Sequence, residues 1–125
     1  MDVTPLVGKG KNIIHSYAGG RIKVGENVFD RPVIVTPDSV IMWDIVAAAA
    51  DLQAPDFEPL AVMKGVIDVI LLGCGKTMVF LKPDVKLALS GKGLNVDVMD
   101  TGAACRTYNV LMAEGRRVAA ALIPA

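Results

Sequence analysis

The sequence predicts an α/β domain in which an N-terminal β meander precedes a βαβαβ parallel core. Three observations carry that prediction: short β-prone runs broken by glycine turns in the first third, apolar runs alternating with helix-start signals in the second half, and a composition suited to one core. Apolar residues make up 53% of the 125 residues and the formal charge is zero, the reverse of the low hydrophobicity and high net charge of a disordered chain. That length suits one unit, residues 1–125, and is short for two independent cores.

Residues 12–17, 21–24 and 28–35 are β-prone runs separated by Gly19 and Gly20, then by Gly25, Glu26 and Asn27, so two tight turns fold them into a meander. Ile22 and Val24 alternate with Arg21 and Lys23, as on a strand with one buried and one wet face. Pro32 lies inside the third run and, having no N–H to donate, marks an edge position or a bend. Residues 40–43 form a further strand candidate and lead into the alanine-rich residues 45–50, which read equally well as a helical turn.

The second half changes character. Asp56, Phe57, Glu58 and Pro59 have the acidic residues and early proline of a helix start, continued by Leu60, Met63 and Lys64 to Gly65. Residues 67–72 follow as a nearly unbroken apolar run, the pattern of a strand buried on both faces. Asp68 interrupts it, either at the wet start of the strand or as a buried carboxylate paired with Arg116 or Lys64, because an unpaired buried charge is costly. Pro83 opens a second helix stopped by Gly91 and Gly93, and residues 94–99 alternate as a strand. Asp100, Thr101 and Gly102 cap a third helix that runs through Met112 to Gly115, and residues 118–123 close the chain as an apolar strand. Strand, helix, strand, helix, strand in this order implies right-handed crossovers and three parallel strands, with the meander beside or across them.

Composition also excludes function classes. A balanced charge gives no global field for nucleic acid, so no nucleic-acid partner is expected. The apolar runs fall far short of the roughly 18 to 20 residues that cross a bilayer, so no transmembrane segment is expected. The first residues lack both a basic region followed by an apolar stretch and an Arg-rich leader, which makes a cytoplasmic location the expectation. Cys74 and Cys105 have no metal-ligand spacing and His15 is the only histidine, so neither a metal site nor a cofactor is expected.

In an open parallel sheet, ligands collect at the carboxyl ends of strands. Two loops fall there. Gly73, Cys74, Gly75 and Lys76 offer close backbone approach and a positive charge, and Thr101 begins a helix whose N-terminal N–H groups attract anions. The plainer reading makes the glycines a tight strand exit and Thr101 only a cap. Arg106 and Asn109 share one face of the third helix, while Thr101 and Cys105 share another. Gly73, Cys74, Gly75, Lys76, Thr101, Arg106 and Asn109 are thus the candidate ligand-binding residues, and no catalytic residue is identifiable. In structural terms, Arg106 pairs with Glu114 or Asp100, Asn109 bonds a loop carbonyl, and Tyr108 packs with its hydroxyl wet. A helix N-terminus lowers a thiol pKa, which opens a redox reading of Cys74 and Cys105; the alternative makes both small buried hydrophobes.

Certain stretches carry a family resemblance: Gly73, Cys74 and Gly75 after an apolar strand, VMDTGAACRTYNVL at 98–111, and EGRRVAAAL at 114–122, with Tyr17, Gly19, Gly20 and Trp43 as earlier landmarks. Together they resemble the mitochondrial respiratory complex I assembly factor three family and its uncharacterised prokaryotic relatives. The resemblance implies a three-layer β plus β/α domain and, in the mitochondrial members, help in assembling complex I. It carries over no catalytic residue. That family more often has threonine where Cys74 stands, and its mitochondrial members bear a targeting leader, so the expectation here is a bacterial-type protein.

Two functions follow. The first is a non-catalytic assembly or interaction factor in biogenesis of a membrane respiratory complex, with protein partners, peripheral to the inner membrane. The second is a small-anion-binding protein or enzyme with its site at loops 73–77 and 100–106. Self-association is open on either reading.

Overall fold

The computed structural model describes residues 10–45 and 48–125. Among the described residues, eight short strands form two sheets. Strands β1 (Ile14–Ser16), β2 (Ile22–Val24) and β3 (Asn27–Phe29) make an antiparallel sheet in that order. The turn between β1 and β2 needs two glycines, since Gly19 and Gly20 have φ of 70° and 74°, a region that side chains with a Cβ rarely adopt.

The predicted run 28–35 is two strands rather than one. β3 ends at Phe29, and β4 (Val33–Val35) belongs to a different sheet. Pro32 is the bend: without an N–H it breaks the ladder, and its carbonyl accepts from the Trp43 N–H at 2.9 Å. β4 pairs with β5 (Val40–Met42) and, on its other side, with the last strand β8 (Val118–Ile123). Of the alanine-rich stretch 45–50, residues 46 and 47 lie outside those described, and Ala49–Asp51 forms a 3-10 turn.

The predicted parallel core is present. β6 (Val69–Cys74) lies between β8 and β7 (Val96–Met99) and is parallel to both, giving the sheet order β5-β4-β8-β6-β7. Helix α2 (Pro83–Gly91) crosses from β6 to β7, and α3 (Thr101–Ala113) crosses from β7 over β6 to β8. The two crossovers run in opposite directions on opposite faces of the sheet, so they share one hand, as the right-handed rule requires. The helix predicted over 56–65 is shorter, a 3-10 turn at Ala54–Phe57 followed by α1 (Glu58–Ala61) and turns.

Period-two alternation sorts the five-stranded sheet into two cores. Val33, Val35, Leu71, Val118, Ala120 and Leu122 face α3 and the meander, packing with Ile14, Ile22, Val24, Cys105 and Tyr108. Ile34, Ile70, Leu72, Ala119 and Ala121 face α2, Trp43, Phe57 and Leu60. The result is three layers: meander with α3, sheet, and α2 with α1. Among the described residues no helix is long and apolar enough to cross a membrane.

Asp68 stands just before β6 at its wet start, and its partner is Arg117 rather than Arg116 or Lys64. The guanidinium donates from Nε to Oδ2 at 2.9 Å and from its NH2 to Oδ1 at 2.7 Å. Position 117 wins because β6 and β8 run in parallel and Val69 pairs with Val118, which sets the residues before them side by side.

Candidate functional site

The carboxyl ends of β6 and β7 form the switch point of the parallel sheet, since the chain leaves β6 toward one face and β7 toward the other. Here that crevice is filled by the protein itself. Thr101 is fully buried; its N–H donates to the Gly75 carbonyl at 2.9 Å and its hydroxyl accepts from the Gly75 N–H at 2.9 Å. The same hydroxyl donates to the Ile123 carbonyl at 2.5 Å, so one threonine ties together the ends of β6, β7 and β8. Gly73 is needed for this closure: a Cβ there would lie 2.9 Å from the Thr101 Cα and 3.0 Å from the Leu122 Cδ2.

Thr101 is therefore not the cap of α3. Asp100 is, its Oδ1 accepting from the Ala103 N–H at 2.9 Å, because Thr101 is already the first helical residue and its side chain points inward. Cys74 is likewise engaged in structure. Its Sγ lies 3.0 Å from the Met99 carbonyl and accepts from the Val79 N–H at 3.0 Å, pinning the loop after β6.

Further along α3 the polar residues bind the meander. The Asn109 side-chain amide accepts from the Ile14 N–H at 2.9 Å and donates to the Ile14 carbonyl at 2.8 Å, behaving as a strand neighbour to β1. Tyr108, far from having a wet hydroxyl, is fully buried and donates to the Asn12 carbonyl at 2.9 Å; burial raises its phenol pKa. Arg106 pairs with neither Glu114 nor Asp100. It donates to the Tyr17 hydroxyl at 3.0 Å, with its guanidinium carbon 5.8 Å from the ring centroid, because β1 brings Tyr17 across the first turn of α3. The Tyr17 hydrogen bond is the main reason the Arg106 pKa is raised.

Cys105 lies in the second turn of α3, fully buried, and desolvation raises its pKa to about 12. The helix N-terminus is too far along the chain to offset that burial, so a lowered thiol pKa is not found. Both thiols are free.

What stays open at the strand ends is a shallow concavity of about 290 Å³, bordered by Tyr17, Gly19, Gly75, Lys76, Asp100 and Gly102. The structure thus brings Gly75 and Lys76 to a common rim, turns Gly73, Cys74 and Thr101 inward, and sends Asn109 to β1. Asp100, the first residue of the second ligand loop, is on the rim, and so is Tyr17, which reasoning about those loops did not single out. No local signal joins Tyr17 to this site, since it reaches Arg106 from 89 positions away. Among the described residues no cluster of His, Cys, Asp or Glu side chains is arranged to hold a metal ion.

This geometry defines a three-layer α/β domain with a doubly wound parallel half whose switch-point crevice is closed by its own side chains. The chain belongs to the family described as Protein of unknown function (DUF498/DUF598), whose model matches residues 14–123. It is 34% identical over 111 residues to the Bos taurus NADH dehydrogenase [ubiquinone] 1 alpha subcomplex assembly factor 3. That match covers 89% of this chain but only 60% of the bovine protein's length. An uncharacterised protein of Rhodobacter capsulatus is 36% identical over 89% of this chain and 83% of its own. Among solved structures, a Bordetella parapertussis protein aligns with a TM-score of 0.82 at 36% identity, covering 94% of this chain and 98% of that one. The family resemblance read from residues 73–75, 98–111 and 114–122, and the α/β architecture it implies, are both borne out.

Proposed function

We propose that this chain is a non-catalytic assembly or interaction factor in the biogenesis of a membrane respiratory complex, working through protein partners at the periphery of the membrane. The observation that carries the reading is the 34% identity to the bovine complex I assembly factor across 89% of this chain. The site chemistry agrees with it: the polar residues that distinguish the C-terminal third are spent on internal bonds, with Thr101, Tyr108 and Asn109 each holding backbone groups of distant segments. On this reading the characteristic sequence builds a rigid platform, and residues 1–125 act as one unit, since β4 and β8 pair across most of the chain's length. Deleting the gene in a host that makes complex I lowers the amount of assembled complex on a native gel; unchanged levels overturn the proposal.

A second reading keeps a small-anion site at the strand-end concavity, favoured by Lys76 on its rim beside the start of α3. The Asp100 carboxylate on the same rim opposes it. Its test is a thermal-shift screen of phosphates and carboxylates, in which Lys76→Ala and Arg106→Ala abolish the stabilisation given by a true ligand.

A further inference from the structure

The opposite face of the parallel half contains an opening of a different kind. β7 is the last strand of the five-stranded sheet, so every second residue of Val96–Met99 turns its N–H and C=O outward with no strand beside it among the described residues. The other strands at sheet edges, β1, β3 and β5, have three residues each, whereas β7 has four and is flanked by a groove of about 700 Å³. The groove runs between β7 and α2. Its floor is apolar, from Leu89, Val96 and Val98, and its wall is the loop after β6, where Phe80 is 79% exposed and Met78 43%. Phe80 and Met78 together make an exposed apolar border to this groove, beside the unpaired edge of β7.

From this juxtaposition we infer that the β7 edge and its groove receive an extended segment of a partner protein, added as a sixth strand to the sheet. The inference rests on the reading of the chain as an interaction factor and names the surface that reading requires. Backbone pairing supplies the affinity, and alternation sets the sequence. Side chains of the incoming strand that face α2 are apolar, covering Phe80, Leu89 and Val98. Those on the other face lie beside Asp97, which alternates with Val96 and Val98 along the strand, pairs with Leu71 in register and is exposed; that face of the segment carries lysine or arginine. A second copy of this chain gives Asp97 no such charge pairing. Antiparallel pairing of β7 with its own mate sets Asp97 opposite Asp97 in one register and opposite Met99 in the next, with no cation across from it in either.

The test uses the purified chain and two short synthetic peptides, one alternating valine with lysine and the other valine with glutamate, followed by amide hydrogen exchange and by titration. The lysine peptide protects the outward amides of residues 96–99 and binds more tightly than the glutamate peptide. Phe80→Asp weakens it by roughly tenfold or more, as loss of a large buried side chain demands. Asp97→Lys reverses the preference between the peptides while leaving the fold unchanged. Absence of protection at β7, unchanged affinity in Phe80→Asp, an unaltered preference in Asp97→Lys, or protection that appears with rising protein concentration and no peptide overturns the inference. The last outcome would identify a second copy as the occupant. Failure here is separable from failure of the assembly reading. If deletion lowers complex I and Phe80→Asp restores it fully, the edge site falls and the assembly role stands. If the lysine peptide binds at β7 but deletion leaves complex I unchanged, the reverse holds.

Discussion

The two faces of the five-stranded sheet are built from the same alternating strands but finished differently. On one face α3 is tied down by polar bonds: Asn109 to both backbone groups of Ile14, Tyr108 to Asn12, Arg106 to Tyr17, and Thr101 to Gly75 and Ile123. On the other face α2 is held by apolar packing of Val85 and Leu89, while Leu87 is 75% exposed and Phe80 stands in solvent. The first face is closed because a second sheet covers it. The second face is covered by α2 and α1 alone, and among the described residues no strand pairs with β7 at its edge. Polar residues on a helix therefore mark, in this fold, where another layer is fastened, and the exposed apolar residues mark where one is missing.

Variants can break that contrast. The largest effect is expected at the closed crevice, where Gly73→Val forces a side chain against the Thr101 backbone and costs about 3 kcal/mol, read as a lowered urea midpoint. Thr101→Val keeps the shape but orphans the Gly75 N–H, at a cost of about 2 kcal/mol by the same measurement. Asn109→Ala releases β1 from α3 and costs about 1 kcal/mol; amide exchange should quicken at Ile14 more than in β6, which tells a lost latch from general loosening.

Alkaline titration sharpens the same face. Cys105 has a folded pKa raised to about 12 from an ordinary 9.0, so the unfolded chain releases its proton first as pH rises. Stability is intact below about pH 9 and is lost between there and pH 12. Cys105→Ala makes that alkaline loss shallower. The smallest effect belongs to the open face: Phe80→Ser changes stability by no more than about 0.5 kcal/mol, because so exposed a ring contributes little to the folded state. A large loss there would show that the ring packs in the isolated chain and would erase the contrast.

Much of this was legible in residue order. The helix starts at Pro83 and Asp100, the apolar runs at 69–74 and 118–123, and the glycine turn at 19–20 are local signals, since proline, capping carboxylates and positive φ act within a few residues. Position 32 announced a bend without saying that the chain changes sheets there. The candidate site was less legible. Gly73, Cys74, Gly75 and Thr101 do sit at strand ends, but whether glycine makes room for a ligand or for another part of the chain depends on what approaches it, here Thr101 and Leu122. Arg106 had two charged neighbours in sequence and took Tyr17 instead. Asp68 had two plausible cations and took the one beside it in the ladder.

The sequence by itself determined the α/β class, the βαβαβ order of the second half and the family, because each rests on periodicity, capping or a run of matching residues that needs no knowledge of distant neighbours. Tertiary structure alone decided that β6 lies at the centre of the parallel strands, that the meander packs beside α3, that Thr101 seals the switch point and that β7 is left at the sheet's edge. Those are outcomes of pairing between segments far apart in the chain, where the free energy of burying a face depends on which partner arrives, and residue order does not specify the partner.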